Sequence, residues 1–374
     1  MSTVNSNDAS TASLSSGAAA ESAAGSAAGS AAGSATGSAT VSATVLPTQR
    51  PFGRSGLTVG PIGYGVAALG NLYRPLPDDV WPECVPAAWK AGIRYFDTAP
   101  HYGLGVSEER LGEALRDLPR DEYVLSTKVG RVLEPNPDYR PGDTDIANLF
   151  DVPSTRRRRL DYSRDGILRS VEDSLVRLGV DHIDVLFVHD PDQFEREALD
   201  GAFPALEELR SQGVIRSYGA GMNQSAMLTR FIQQTDLDIV MCAGRYTLLD
   251  GAAEADLLPV AAERGVTVAV ASVFNSGILA TERPIEGATF NYSAASPELV
   301  ARVNRIADVA AGYGVTVPQL AVQFPLRHPA VSTVVLGADS AAQIERNATL
   351  GSPEVPEALW AELEAEGLVA AVGA

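Results

Sequence analysis

The chain of 374 residues carries a formal net charge of −18, and 45% of its residues are hydrophobic, which leaves open whether it buries one large core or two smaller ones. This acidic excess argues against nucleic acid and anionic membranes as general partners. Only two cysteines, Cys84 and Cys242, are present, too few for a disulfide scaffold or a cysteine zinc site.

The first 46 residues repeat Ala-Ala-Gly-Ser and Ala-Thr-Gly-Ser phrases and contain almost no large apolar side chains. Because such a segment buries too little apolar surface to offset its ordering entropy, we predict a disordered tail at 1–46, followed by one domain at 47–374. A tether or sorting element is the alternative. The tail lacks the basic start and Leu-rich core of a signal peptide, and no apolar run is long enough for a transmembrane helix. A cytoplasmic protein is therefore expected.

Short apolar runs alternate with helical patterns after about residue 55, which is typical of repeated β-α units around a parallel sheet. Eight such units favour a closed (β/α)8 barrel, although a doubly wound open sheet would give the same alternation. The predicted strands lie at 62–64, 93–96, 123–127, 183–188, 215–219, 238–242, 266–271 and 331–336.

Helical spacing of leucine and isoleucine residues marks two of the intervening segments, at 111–118 and 167–178. Ser107, followed by two glutamates, is the predicted N-cap of the first segment. Ser340 with Gln343 predicts a capping box at the start of a late helix.

A polar, proline-containing segment at 131–162 follows the third predicted strand and is longer than most connections in a compact barrel. We interpret it as a loop, in a position typical of lids. It carries four consecutive arginines at 156–159, for which a solvated face is the preferred interpretation and contact with an anionic cofactor the alternative.

Four successive predicted strands end in an ionisable or amide residue. Asp97 ends the second strand and is followed five residues later by Tyr102, Lys128 ends the third, His189 the fourth, and Asn223 follows the fifth. Each alone is compatible with a solvated strand edge. Because the carboxyl ends of parallel barrel strands form one face, their joint occurrence indicates an active site.

These motifs resemble the aldo-keto reductase family. The residues that carry the resemblance are Asp97-Thr-Ala-Pro-His-Tyr102-Gly, Ser126-Thr-Lys128, Val188-His189 and Gly221-Met-Asn223, and it extends over about residues 52–350. It implies a (β/α)8 barrel, a nicotinamide cofactor, NAD or NADP, and a catalytic tetrad at Asp97, Tyr102, Lys128 and His189.

In that tetrad Tyr102 would transfer the proton. The ammonium of Lys128 is expected to lower the pKa of this phenol, while Asp97 holds Lys128 and His189 orients the substrate oxygen. No set of histidines and carboxylates has the spacing of a metal site, so no metal is expected.

The resemblance also places the cofactor. Asn223 would hydrogen-bond the nicotinamide carboxamide, and the segment 336–347 would bind the adenosine half, with Ser340 beside a phosphate at a helix N-terminus. Gly337 and Gln343 stand where many members have cations for the extra phosphate of NADP, and Asp339 would repel that phosphate. Ala243 and Ala271 replace a Gln and a Tyr that seat the nicotinamide ring, so Phe274 is a candidate to stack instead. The adenosine-side contacts are Gly337, Ala338, Asp339, Ser340, Gln343 and Asn347.

Within the family, the chain looks most similar to bacterial L-fucose and D-threo-aldose 1-dehydrogenases and to pyridoxal 4-dehydrogenases. The leading hypothesis is oxidation of an aldose at C1 to its lactone, with His101, Asp190, Arg245 and Tyr246 as substrate contacts. A structural ion pair is the alternative for Arg245. The other hypotheses are a pyridoxal 4-dehydrogenase, a general aldehyde or ketone reductase, and a cofactor-sensing regulatory subunit; the oligomeric state stays open.

Overall fold

Eight parallel strands form a closed barrel in the computed structural model, which describes residues 49–291 and 293–372. All eight predicted strands are present, and the predicted (β/α)8 barrel is confirmed. The strands are β1 (Ile62–Gly65), β2 (Tyr95–Asp97), β3 (Val124–Val129), β4 (Val185–His189), β5 (Ser217–Met222), β6 (Ile239–Ala243), β7 (Thr267–Ala271) and β8 (Val331–Gly337). β8 pairs with β1 and closes the ring.

Amphipathic helices follow the strands and pack on the outside of the barrel. Two helices separate β7 from β8, and two follow β8. The helices are α1 (Trp81–Lys90), α2 (Val106–Leu115), α3 (Arg164–Leu178), α4 (Phe203–Ser211), α5 (Ser225–Gln234), α6 (Leu257–Arg264), α7 (Pro297–Ala311), α8 (Val317–Leu326), α9 (Ala341–Thr349) and α10 (Glu357–Ala365), with short helical segments at Glu195–Glu197, Ala198–Ala202 and Ala252–Ala255.

The barrel interior is filled by alternate residues of the strands, because successive side chains of a strand point to opposite faces. Tyr95, Val185, Phe187 and Met241 belong to this inner cluster. A two-stranded hairpin before β1, here called the base hairpin, pairs Arg50–Pro51 with Thr58–Val59. It adds Phe52, Leu57 and Val59 to the same cluster, so it closes the amino-terminal end of the barrel.

The segment after β3 is not the irregular loop that we predicted. It contains an antiparallel hairpin of Arg131–Pro135 with Arg156–Leu160, here called the insertion hairpin. The four arginines alternate along its second strand. Arg157 and Arg159 are more exposed and form ion pairs with Glu134. Arg156 and Arg158 instead donate hydrogen bonds to backbone carbonyls of the loop after β2, at Leu104 and His101.

Two of the predicted helix caps differ from the structure. Helix α2 begins two residues earlier than expected, with Gly105 as its N-cap at φ 95°, and the prediction of Ser107 as N-cap is wrong. The Ser107 hydroxyl is instead buried and donates to Val66 O. Ser340 does cap α9, but the Gln343 side chain accepts from Asp339 N rather than from Ser340 N, so the capping box is incomplete.

The predicted tail at 1–46 lies outside the described residues, so its disorder and the domain boundary at 47 stay predictions. Among the residues that are described, no helix is both long and apolar enough to cross a membrane.

Gly112 marks the contact between α2 and α3. A Cβ atom at this position would lie 2.1 Å from Leu178 O, which is backbone and cannot move aside alone. We expect Gly112→Ala to lower the free energy of unfolding by about 1–3 kcal/mol, despite the better helix propensity of alanine, because the two helices must separate. Urea denaturation measures this. The neighbouring exposed Glu113→Ala should change it by less than about 0.5 kcal/mol, and equal values for the two variants would contradict the packing argument.

Candidate active site

Strand alternation brings three of the four predicted catalytic residues to the inner face of the barrel. Asp97 follows inward-facing Tyr95, Lys128 follows Val124 at an even spacing, and His189 follows Phe187. Lys128 Nζ donates to Asp97 Oδ2 at 2.6 Å. The side chains therefore meet at the carboxyl ends of β2, β3 and β4, as the sequence predicts.

Tyr102 reaches the same point from the loop after β2. Its hydroxyl accepts a hydrogen bond from Lys128 Nζ at 3.0 Å, and its ring centroid lies 5.9 Å from that of His189. Gly103 follows at φ 61°, where a Cβ would lie 2.3 Å from Gly70 O. This close backbone approach requires glycine and fixes the turn that carries Tyr102.

The Asp97–Lys128 pair is buried and almost fully hydrogen-bonded, which offsets the cost of removing two charges from water. Ser126 Oγ donates to Asp97 Oδ1 at 2.7 Å, and the Tyr95 hydroxyl lies 3.0 Å from Ser126 Oγ. Lys128 Nζ also donates to Thr98 O at 2.9 Å. Only the bond to Tyr102 leads outward, so Lys128 is oriented toward that phenol.

The protonation states of Lys128 and Tyr102 follow from burial and from the charges around them. Burial acts to lower the pKa of Lys128, but Asp97 and Tyr102 outweigh it, so the net pKa is raised and the ammonium form is fixed. For Tyr102, burial raises the pKa more than Lys128 lowers it. Lys128 thus acts on the Tyr102 pKa in the expected direction, but burial makes the net shift a rise, and the phenol is protonated at neutral pH.

His189 is held as a neutral imidazole. Burial lowers its pKa well below the usual value, and the nearby charges of Arg131 and Lys128 act in the same direction. Its Nε2 lies 3.4 Å from Asp190 Oδ2, while Nδ1 is buried without a partner among the described residues. A neutral ring with its proton on Nε2 can donate to a substrate oxygen beside Tyr102.

A polar wall of His101, Arg131 and Asp190 lies next to His189. Arg131 donates to Asp190 Oδ2 at 2.9 Å, and its other terminal nitrogen lies 3.3 Å from His101 Nδ1. Burial, followed by Arg131, lowers the pKa of His101 to about 2, so this ring is also neutral. His101 and Asp190 thus lie at the tetrad as predicted. Arg131 was missed, although a cation two residues past the end of β3 could have signalled it.

The insertion hairpin holds this wall in place. Arg158 donates to His101 O at 2.7 Å and forms a salt bridge with Asp145 at 2.5 Å. Phe150, from the connection within the hairpin, packs its ring 5.4 Å from that of His101 and 5.9 Å from that of Tyr102. Phe150 had no sequence signal, because it lies outside any periodic pattern.

The other two predicted substrate contacts, Arg245 and Tyr246, are engaged by residues outside the tetrad. Arg245 forms a salt bridge with Asp250 at 2.8 Å and donates to Asn223 O, in keeping with the structural alternative. Tyr246 is fully buried, and its ring packs against Phe324 of α8 and against His328. The structure does not bring Tyr246 to the tetrad, because β6 ends at Ala243 and the turn that follows redirects the chain.

The loop between β8 and α9 is held by side chains of neighbouring segments. Asn347 Nδ2 donates to Gly337 O at 3.2 Å, and the Tyr64 hydroxyl donates to Ala338 O at 3.0 Å. Asp339 forms a salt bridge with Arg74 at 2.5 Å, so part of the negative charge that would face a phosphate is neutralised. Ser340 remains the N-cap, with the amides of the first turn of α9 beside it.

Residues at the carboxyl ends of β5 and β7 are open to a ligand. Asn223 is exposed, and its side chain makes no hydrogen bond to any residue that the structure describes. Asn275, in the loop after β7, is buried with neither side-chain nitrogen nor oxygen paired among the described residues. Ser272, Asn275 and Ser276 all adopt positive φ angles between 46° and 59°. Ala243 and Ala271 pair in register at the ends of β6 and β7, and Phe274 is partly buried against the core. Stacking of Phe274 on the nicotinamide ring stays a prediction.

Comparison with known proteins assigns this arrangement. The model of the aldo/keto reductase family matches residues 61–366. The chain belongs to the aldo-keto reductase family. It is therefore an oxidoreductase, and members of this family use NAD(P)H.

The match between this aldo-keto reductase and two of its relatives covers nearly the whole length of each relative. It is 46% identical to a D-threo-aldose 1-dehydrogenase of a Pseudomonas species over 84% of this chain and 96% of the relative. It is 41% identical to a pyridoxal 4-dehydrogenase of Microbacterium luteolum over 86% of this chain and 98% of the relative. The solved holo form of an aldo-keto reductase from Bacillus halodurans is 26% identical, with a TM-score of 0.69 over 87% of this chain and 98% of that one.

The residues of this reductase fit a nicotinamide cofactor. The unpaired buried amide of Asn275 is costly without a ligand, since a buried polar group normally has a partner. Asn223 offers a second amide at the same end of the barrel, and the first turn of α9 offers free backbone amides suited to phosphate. When bound, the nicotinamide ring supplies or accepts the hydride.

Proposed function

We propose that this aldo-keto reductase oxidises an aldose at C1 to the lactone, with NAD(P) as hydride acceptor. The observation that supports this proposal is the polar wall of His101, Arg131 and Asp190 directly beside His189, because a sugar carries hydroxyl groups on the carbon next to its reacting carbon and on the carbons beyond. The 46% identity to a D-threo-aldose 1-dehydrogenase agrees with this substrate class.

The four tetrad residues have distinct roles in this proposal. Tyr102 takes the proton from the C1 hydroxyl during oxidation and returns it in the reverse direction. Lys128, 3.0 Å from the phenol oxygen, stabilises the phenolate that the oxidative step requires. Asp97 holds Lys128, and the neutral His189 donates from Nε2 to the reacting oxygen and fixes its orientation.

The cofactor preference that we propose is NAD over NADP. Gln343 binds Asp339 N rather than offering a cation, and Asp339 adds a carboxylate at the same turn. Arg74 neutralises that carboxylate in part, but its guanidinium is already engaged. Titration of the protein with each dinucleotide, followed by fluorescence, should give tighter binding of NAD. Tighter binding of NADP would contradict this assignment.

The raised pKa of Tyr102 predicts different pH profiles for the two directions. Oxidation needs the phenolate, so its rate should rise with pH, by up to about tenfold per pH unit, between about pH 7 and pH 9. Reduction needs the protonated phenol and should stay flat over the same range. Initial rates in both directions measure this, and an oxidation rate that falls with pH would exclude Tyr102 as the base.

The direct test is cofactor reduction at an absorbance wavelength of about 340 nm with L-fucose, L-galactose, D-arabinose and pyridoxal, each with NAD and NADP. Turnover of the sugars is expected, with the lactone as product. Turnover of pyridoxal alone would change the assigned substrate from an aldose to pyridoxal and leave the proposed mechanism unchanged. Silence with every substrate would favour a carbonyl reductase or a cofactor-sensing subunit.

A pyridoxal 4-dehydrogenase is the second candidate. Its specific support is the aromatic surface of Phe150 and His101, whose rings meet edge to face 5.4 Å apart beside Tyr102 and could pack on a planar pyridine. The 41% identity to such an enzyme agrees with it. The substrate panel separates the two candidates.

A further inference from the structure

Asp190 has a backbone conformation that its surroundings impose. Its φ is 42°, which few residues other than glycine adopt. Three hydrogen bonds hold it there: its N–H donates to Gly221 O, and the Tyr162 hydroxyl donates to both His189 O and Asp190 O. Such strain persists only where neighbouring structure enforces it, and it concentrates at functional sites.

The strained backbone directs the Asp190 carboxylate to His189. Its Oδ2 atom lies 3.4 Å from His189 Nε2, the nitrogen assigned above to the reacting oxygen, and 2.9 Å from the terminal nitrogen of Arg131. When the reacting oxygen of a substrate is hydrogen-bonded to His189 and Tyr102, a group on the adjacent carbon would therefore lie next to this carboxylate and this guanidinium.

The Arg131–Asp190 pair is incompletely satisfied by the protein. The Arg131 side chain is 18% exposed and that of Asp190 is 32% exposed, so the pair opens on one side. Arg131 Nε is buried without a hydrogen-bond partner, and Asp190 Oδ1 accepts from none of the residues in the described part of the chain. Asp190 Oδ1 is not among the buried unpaired atoms, so this oxygen and the exposed side of the Arg131 guanidinium are accessible to a bound ligand.

We propose that Arg131 and Asp190 form a clamp for the hydroxyl group on the carbon next to the reacting one, and so select 2-hydroxy sugars. The inference rests on the proposed aldose oxidation. The carboxylate accepts the hydrogen bond of that hydroxyl, and the guanidinium donates to its oxygen. Neither residue takes part in the proton or hydride transfer, so both determine specificity rather than chemistry.

The alternative is that the pair only positions His189, and substrate choice separates the two. L-fucose and 2-deoxy-L-fucose differ in the one hydroxyl that the clamp would bind. For the unmodified enzyme, we expect kcat/KM for L-fucose to exceed that for the deoxy sugar by about 10- to 100-fold, the range for a hydrogen bond to a charged group.

The variants Asp190→Asn and Arg131→Met should lower kcat/KM for L-fucose by a similar factor. They should lower kcat/KM for 2-deoxy-L-fucose less than about threefold, so that the preference collapses. Arg131→Lys, which keeps the charge, should retain part of it. Arg157→Met on the outer face of the insertion hairpin is the control, because Arg157 has only a distant ion pair with Glu134, at 4.0 Å, and should leave both sugars unchanged.

Each outcome has one meaning. Equal losses on the two sugars would overturn the clamp and assign the pair to positioning His189. Equal turnover of the two sugars by the unmodified enzyme would also overturn it and leave the aldose dehydrogenase standing. If the substrate panel shows turnover of another aldose but not of L-fucose, that aldose and its 2-deoxy form replace the two sugars in this test. Turnover of no aldose would reject the proposed function itself, and the clamp with it. If Asp190→Asn fails to fold by circular dichroism, the two Arg131 variants alone decide.

Discussion

Tyr102→Phe is expected to lower kcat by about 10²- to 10⁴-fold in both directions, the usual contribution of a positioned acid or base. The substitution removes only the hydroxyl, whose one hydrogen bond in the described structure comes from Lys128 at 3.0 Å. The ring contacts with Phe150 and His189 are retained, so the shape of the site is preserved. Stopped-flow or steady-state rates measure the loss, and fluorescence titration should show cofactor affinity nearly unchanged.

Tyr313→Phe is the matched control for this change. Tyr313 is exposed, and its hydroxyl donates to Glu362 on α10, far from the tetrad in the fold. It should have the activity of the unmodified enzyme. A Tyr102→Phe variant with full turnover would show that another group transfers the proton and would remove the tetrad assignment.

Lys128→Met is expected to abolish turnover and to destabilise the fold as well. It leaves the Asp97 carboxylate buried, with the Ser126 hydroxyl as its remaining donor. Breaking a buried ion pair from one side costs about 3–5 kcal/mol, because an uncompensated charge stays in the interior. Urea denaturation should give a loss of that size in the free energy of unfolding.

Removing both charges should restore part of this stability but none of the activity. The double variant Asp97→Asn/Lys128→Met replaces the pair by neutral groups of similar size, so the buried charge is gone. Lys90→Met is the control, since the Lys90 side chain is 83% exposed and, within the described part of the chain, forms one ion pair, with Glu345 at 3.9 Å. If the double variant were as unstable as the single one, the unpaired Asp97 would not be the cause.

The barrel could be predicted because its strands are short apolar runs at regular intervals, and the position of the site could be predicted because Asp97, Lys128 and His189 end such runs. Period-two alternation then fixes their direction, as inward-facing Tyr95 and Phe187 lie two residues earlier. These inferences need only local pattern and the geometry of parallel strands. The tetrad itself, with Tyr102, was implied by the family resemblance.

Prediction failed where a tertiary contact decided the conformation. The insertion hairpin depends on pairing across 20 or more residues, from Arg131 with Leu160 to Pro135 with Arg156, which no local pattern displays. Tyr246 lies past the end of β6, where alternation no longer gives a direction, and it packs on α8 instead. The net direction of the Tyr102 pKa shift could not be predicted either, because burial outweighs the effect of Lys128 and burial is a property of the folded chain.

The base hairpin has a consequence for how the protein folds as it is synthesised. Arg50 donates to Leu326 O and Val331 O, which lie 276 and 281 positions later, and Ser332 Oγ donates to Pro51 O. The amino-terminal end of the barrel is thus closed by contacts between segments 276 to 281 positions apart in the chain, the base hairpin and the region of α8 and β8. Phe52 and the other apolar residues of the base hairpin cannot pack against a closed barrel until β8 has left the ribosome. We therefore expect the apolar residues of the barrel interior to stay exposed during most of translation.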